Sequence, residues 1–282
     1  MPLRKERRLR LPGVEMSIAL DNRLERFFGV PYRSAAQLLG GRKVAASKST
    51  DNVASTNGHV DVAPLSVEAK EIADRVKQIE WYHVIELPHG IVTPGRADHR
   101  TQKHLYGLPE DMSGMRVLDV ATFDGFWAFE MERRGADVTA VDIGRWSQAD
   151  IPLRWKERLT AEEDTVTGAG FRLAKELLGS RVERREMSVY DLNPKELGQF
   201  DLVMLSDLLL HIRDPQHALE KLWAVVKNPG GHAIIAEPYS PELEDVKGMA
   251  LTQWIGYDKF VWQIPSTATL RSQLHQAGFE PV

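Results

Sequence analysis

The chain has 282 residues, 43% hydrophobic and 27% charged, enough apolar material for a sizeable core without covalent staples. Lys and Arg number 36 against 40 Asp and Glu, and the formal charge of −4 argues against a whole-protein electrostatic grip on nucleic acid. There is no cysteine, which excludes disulfides, thiolate metal sites, iron–sulfur clusters and cysteine nucleophiles, and fits a reducing cytoplasm.

Residues 1–40 open on Arg4, Lys5, Arg7, Arg8 and Arg10 with no apolar signal-like run behind them. A weakly amphipathic stretch from Ile18 to Leu39 follows, and this basic N-terminal segment is expected to be partly ordered. Residues 41–66 lack aromatic and bulky apolar runs and read as a flexible linker. The most apolar run, Leu202 to Ile212, is interrupted by Asp207 and is too short to span a bilayer.

Order is expected to resume at Ser66, a helix N-cap with Glu68 and Glu71 in the first turns. The spacing of Val67, Ile72, Val76 and Ile79 predicts a helix ending before Trp81. Turn signals at Pro88, Gly90, Pro94-Gly95, Gly107 and Pro109 make residues 84–115 irregular, with one short helix around Asp98–Leu105. Residues 67–114 thus form a helical and irregular lid. Its candidate substrate contacts are Trp81, His83, His99 and Arg100: rings for apolar or sugar faces, a guanidinium for an anion.

From Met115 strands alternate with helices. Strands are predicted at 116–120, 137–142, 182–189, 202–206 and 232–237, with helices at 126–134, ending by 178, after Asp214-Pro215, and at 267–276. Unbroken apolar strands in such an alternation indicate an α/β fold, mostly parallel, with helices on both faces of the sheet.

Residues 117–143, VLDVATFDGFWAFEMERRGADVTAVDI, carry the chemistry. A strand ends at Asp119-Val120, a tight turn with Gly125 opens a helix, and the next strand ends in Asp142. Ligands bind beyond the carboxyl ends of parallel strands, where Asp142 is placed to accept both hydrogen bonds of a ribose diol. The G-x-G-x-x-G pattern that seats a pyrophosphate is absent, and Phe123 would obstruct one. A nucleoside without phosphates there, S-adenosylmethionine, fits better than a nicotinamide dinucleotide.

This segment resembles motif I of class I S-adenosylmethionine-dependent methyltransferases, with Ala121 and Phe123 at two of its three glycine positions. QFDLVMLSDLLLHIRDPQHALEKLWAVVKNPGGHAIIAEP, residues 199–238, resembles that family's fourth strand, following helix and fifth strand. WYHVIELPHGIVTPGRADHR together with TFDGFWAFEMERRGA is similar to the branch of tRNA wobble-uridine (carboxy)methyltransferases. The resemblance implies a Rossmann-like methyltransferase sheet over residues 115–282 and S-adenosylmethionine as cofactor. It implies that Asp119, Ala121, Thr122, Phe123 and Gly125 hold the methionine moiety, Asp142 the ribose, Ser188 and the Val189 backbone the adenine, and Ser206 with Asp207 the sulfonium side. It also implies two further strands after helix 267–277. The sequence stops at Val282, so the C-terminal strands are expected to be incomplete: either the chain is truncated there, or another segment, the 1–40 stretch or a second subunit, covers the sheet edge.

His211, on the substrate side after the fourth strand, is the candidate general base, since imidazole takes a proton near pH 7. Tyr239 and Trp262, with Trp254 and Tyr257, lie in the insert after the fifth strand and are expected to close over substrate. No metal is expected: His99 and His104 are five apart, and such positions diverge on a helix. The leading expectation is O-methylation of a small molecule, a sugar or a natural-product intermediate, by a cytoplasmic enzyme, with a homo-oligomer left open. The alternatives are a tRNA wobble-uridine (carboxy)methyltransferase, a nicotinamide-dependent dehydrogenase and a non-catalytic cofactor-sensing scaffold.

Overall fold

The computed structural model describes residues 66–244, 246 and 248–280. The amphipathic stretch expected within 1–40 and the linker lie outside them, apart from Ser66. Ser66 caps helix α1 (Val67–Lys77) as expected, its hydroxyl accepting from the Ala69 N–H at 3.1 Å. The short helix expected around Asp98–Leu105 is one 3₁₀ turn at Lys103–Tyr106, closed by Gly107 at φ 68°.

Five parallel strands follow: β1 (Arg116–Val120), β2 (Asp137–Asp142), β3 (Glu183–Glu186), β4 (Leu202–Ser206) and β5 (His232–Ala236). Their order is β3-β2-β1-β4-β5, with Val117 beside Val138 and Leu202, so the strand order reverses at β1, the switch point at which open α/β sheets bind ligands. The third strand is shorter than the predicted 182–189. Its sequence, Glu-Arg-Arg-Glu, suits an edge, where charged side chains discourage pairing with other chains.

Successive strand residues face opposite sides, and this builds two cores. Val117, Val138, Ala140 and Met204 pack beneath α1, α2 (Phe126–Arg133) and α3 (Ala169–Leu178). Leu118, Val120, Val203 and Leu205 pack against α4 (Pro215–Val225) and α5 (Thr267–Ala277). The helices lie on both faces, as predicted. Between β5 and α5 the chain forms an antiparallel hairpin, β6 (Thr252–Asp258) and β7 (Val261–Pro265), separate from the main sheet. This pair lies in the insert after β5 and is not the two further strands that the resemblance placed after helix 267–277; among the described residues no strand follows that helix.

Glu130 fastens α2 to the lid. It is 7% exposed and accepts hydrogen bonds from Arg133, Arg134 and Lys103. Burial alone would raise its pKa, but these three cations outweigh burial and hold it at about 2. Because the folded pKa lies below the unfolded one, the stabilisation is present above the ordinary carboxylate range and is lost as pH falls toward 2. Glu130→Gln is expected to lower the unfolding free energy by about 2–3 kcal/mol at neutral pH, after allowance for the exposed Arg133. Urea titrations across pH check this; parallel stability curves for the two proteins would refute it.

Candidate active site

β1 delivers Asp119 on the same face as Val117, 2% exposed, with Oδ2 lacking any hydrogen-bond partner. Burial lifts its pKa to about 7. The chain then bends through Ala121, Phe123 and Gly125, whose φ values are 59°, 49° and 91°. A β-carbon at Gly125 would come within 2.5 Å of the Phe129 ring and 2.7 Å of Phe171, so only glycine closes this bend. Ala121 and Phe123 keep the backbone path of a glycine loop without glycine, at a cost of about 1–2 kcal/mol each. Ala121→Gly is therefore expected to raise the unfolding free energy by about 1 kcal/mol, read from the urea midpoint at unchanged m-value.

The bend brings the Phe123 N–H to Asp142 Oδ2 at 2.8 Å, while Ile143 N–H donates to Oδ1 at 2.7 Å. Each carboxylate oxygen keeps a second lone pair for a diol hydroxyl. Burial raises the Asp142 pKa, and the Phe123 N–H acts against it. Phe123 stays 39% exposed, its ring 5.3 Å from that of Tyr82. Thr122 is buried in the same turn. Asp124, also buried, accepts from Tyr82 N–H at 2.6 Å and His83 N–H at 3.0 Å; burial lifts its pKa to about 6. This carboxylate ties the lid to the bend.

Past β3, the Met187 N–H donates to the Asp142 carbonyl at 2.8 Å, which sets Ser188 and Val189 near the end of β2. The Ser188 hydroxyl accepts from Tyr190 N–H at 3.3 Å, and the Val189 side chain belongs to the second core, leaving its backbone as the group available to a ligand. At the end of β4 the Ser206 hydroxyl donates to Asp207 Oδ2 at 3.2 Å.

His211 ends a single 3₁₀ turn, Leu209–His211. Its Nδ1 lies 2.7 Å from the Phe260 carbonyl oxygen. A carbonyl only accepts, so Nδ1 carries the proton and Nε2 the lone pair. Burial lowers the His211 pKa below the ordinary 6.5, and the Phe260 carbonyl acts against it.

The lid residues do not converge on one surface. Trp81 is buried, and its Nε1 donates to the Val76 carbonyl at 2.9 Å, so it anchors the end of α1. His83 and His99 are buried on the Phe126 ring, and burial holds His83 well below the ordinary pKa, uncharged. The Arg100 guanidinium bonds Asp98 at 2.8 Å and Glu86 at 3.1 Å, which neutralises the charge expected for an anion. In the insert, Tyr239 is half-buried. Trp262 is buried with Tyr257 and Ile151, forming a small core of its own. Trp254 is 62% exposed.

Two functional candidates escaped the sequence reading. Glu237, at the end of β5, accepts from Leu208 N–H at 2.8 Å and Leu209 N–H at 3.0 Å, bracing the turn that carries His211. Its Oε2 is sealed from solvent without a partner, and burial, then Asp207, lifts its pKa to about 8. Asp150 joins three segments: its carboxylate bonds the Arg213 guanidinium at 2.5 Å and the Tyr190 hydroxyl at 2.9 Å, and its carbonyl accepts from Trp262 Nε1 at 2.6 Å. No pattern announced either residue, since each role depends on distant partners.

Among the described residues no group of three or more His, Asp or Glu is arranged to hold a metal ion, and no helix is long and apolar enough to cross a membrane. The partnerless Asp119 oxygen in a buried bend and the spare lone pairs of Asp142 fit a ligand bearing an ammonium group and a sugar diol, and S-adenosylmethionine has both.

A family model described as a methyltransferase domain matches residues 96–282. The ubiquinone biosynthesis O-methyltransferase of Acinetobacter baylyi is 30% identical over 178 residues, 62% of this chain and 64% of that protein. A protein of the same description from Alkalilimnicola ehrlichii is 33% identical over 145 residues, 51% of this chain and 48% of its own length. The chain thus spans about half to two thirds of these curated relatives. Among solved structures, the N-terminal domain of EvdMO1 in the presence of SAH and D-fucose aligns with 77% of this chain and 89% of its own, at 21% identity and TM-score 0.49. On the family match, the chain belongs to the S-adenosylmethionine-dependent methyltransferases.

Proposed function

We propose that this chain methylates a hydroxyl oxygen of a small molecule, a sugar or a natural-product intermediate, with His211 as the general base. The observation that carries the reading is the His211 imidazole itself. It lies beyond the carboxyl end of β4 with Nδ1–H given to the Phe260 carbonyl, and burial keeps it unprotonated at neutral pH. The description of the relatives as O-methyltransferases supports oxygen as the acceptor atom.

When bound, S-adenosylmethionine supplies an electrophilic methyl group on a sulfonium sulfur. The protein has to orient, to move one proton and to exclude water. Asp119 Oδ2 would accept from the ammonium group, and Asp142 from the ribose hydroxyls. Ser188 and the Val189 backbone would border the adenine, and Thr122 and Ser206 the methionine and sulfur side. The acceptor hydroxyl would give its proton to His211 Nε2 as its oxygen bonds to the methyl carbon and the carbon–sulfur bond breaks, its electron pair leaving on sulfur as the neutral thioether S-adenosylhomocysteine. Tyr239 and the hairpin close this side against solvent.

A tRNA acceptor is the second reading, on the similarity of the segment before the bend; the −4 charge of the chain weighs against it. Methyl transfer from carbon-13-labelled S-adenosylmethionine to a panel of hydroxylated acceptors tests the proposal. A methyl ether is expected. An N- or C-methyl product would overturn the choice of oxygen, and salt-sensitive methylation of tRNA alone would overturn the small molecule.

A further inference from the structure

We infer that the left-handed tip of the β6–β7 hairpin is a positioning device for His211, its Phe260 carbonyl fixing the imidazole as the Nδ1–H tautomer. The inference deepens the reading of His211 as base and rests on it.

Asp258 pairs with Val261, so Lys259 and Phe260 are the two loop residues of the hairpin. Their φ values are 50° and 68°. Two-residue loops with positive φ at both positions favour Asn-Gly, because a β-carbon opposes that conformation. Lys-Phe is a costly pair there. Gly256 at φ 77° and Tyr257 at φ 68° extend the left-handed path just before it. Non-glycine residues stay in this region only where their surroundings over-determine it.

Contacts on both sides of this tip lead to the His211 turn. The Phe260 ring itself is 52% exposed, 6.0 Å from Tyr257 of the same hairpin and 6.4 Å from Trp146. Val261 and Ile264 pack on Leu210, the residue before His211. Trp262 is bonded to the Asp150 carbonyl, and Asp150 Oδ2 accepts from the Arg213 N–H, two residues beyond His211, at 2.7 Å. Hairpin and catalytic turn are therefore fastened together on both sides of the imidazole. The left-handed backbone at 260 is what presents its carbonyl to Nδ1. In a right-handed conformation that carbonyl would point elsewhere, and the proton would distribute between the two ring nitrogens.

Glycine keeps the left-handed conformation at 260, whereas proline locks φ near −65°. Nitrogen-15 NMR of histidine-labelled full-length protein at neutral pH, with His211→Gln to assign the signals, reads the tautomer directly. The wild type and Phe260→Gly are expected to show His211 protonated on Nδ1. Phe260→Pro is expected to show a mixture of tautomers and a kcat about tenfold lower, with KM for S-adenosylmethionine within about twofold. A wild type protonated on Nε2, a Phe260→Gly variant that loses the Nδ1–H form, or a folded Phe260→Pro variant with unchanged signals would each overturn the inference. The wild-type and glycine spectra decide the matter even where the proline variant does not fold. If the tautomer shifts in Phe260→Pro while kcat does not, the positioning stands and His211 is not the base.

Discussion

His211→Ala should lower kcat by about 10²-fold or more, the usual contribution of a positioned general base. Burial disfavours the charged imidazole, so the wild-type ring is neutral across the physiological range. The acid limb of its kcat–pH profile should inflect below 6.5 and be flat above. In His211→Ala that limb should vanish, while S-adenosylmethionine affinity, measured by calorimetry, stays near the wild-type value. Equal turnover in the two proteins would make His211 a structural residue. The same lowered pKa has a consequence for stability. Below 6.5 the unfolded chain binds a proton at His211 that the folded chain resists, so this ring's contribution to stability falls as pH drops.

Asp142→Ala should weaken S-adenosylmethionine binding by about 1.5–3 kcal/mol, roughly 10- to 150-fold, the scale for hydrogen bonds to a charged group. The carboxylate has two tasks, holding the bend through the Phe123 and Ile143 N–H groups and offering lone pairs to the ribose. Asp142→Asn helps to separate them. Its amide oxygen accepts from one backbone N–H, so the bend is partly kept while the charge is lost. Intermediate affinity for Asn is expected in calorimetric titrations. Affinity unchanged in the alanine variant would mean that the acid does not touch the ribose.

How much of this was legible beforehand depended on whether the signal was local. The strands β1 and β4 stand out because nearly every residue is buried and buried strands need continuous apolar runs, β2 and β5 through their shorter apolar stretches, and Ser66 and Asp214 cap their helices with their own side chains. Asp142 at a strand end was readable for the same reason. The bend was only half readable. Gly125 is visible, but nothing in the identities of Ala121 and Phe123 shows that both adopt positive φ. The hairpin was missed as a hairpin because Lys259-Phe260 lacks the Asn-Gly signal of such a loop. Trp81 and Arg100 looked like ligand-binding groups because sequence shows a side chain's chemistry and not what it already touches. Val76 and a pair of carboxylates had claimed them. Glu237 and Asp150 were illegible because a carboxylate's role is set by which distant N–H or hydroxyl reaches it.

The β6–β7 hairpin pairs only with itself, yet it has no interior that is wholly its own: Tyr257 and Trp262 share theirs with Ile151 from the segment after β2, and Val261 and Ile264 share theirs with Leu210. Grafting a different hairpin onto this sheet would therefore disturb the turn that carries His211, and Ile151 and Leu210 would have to be recut along with it.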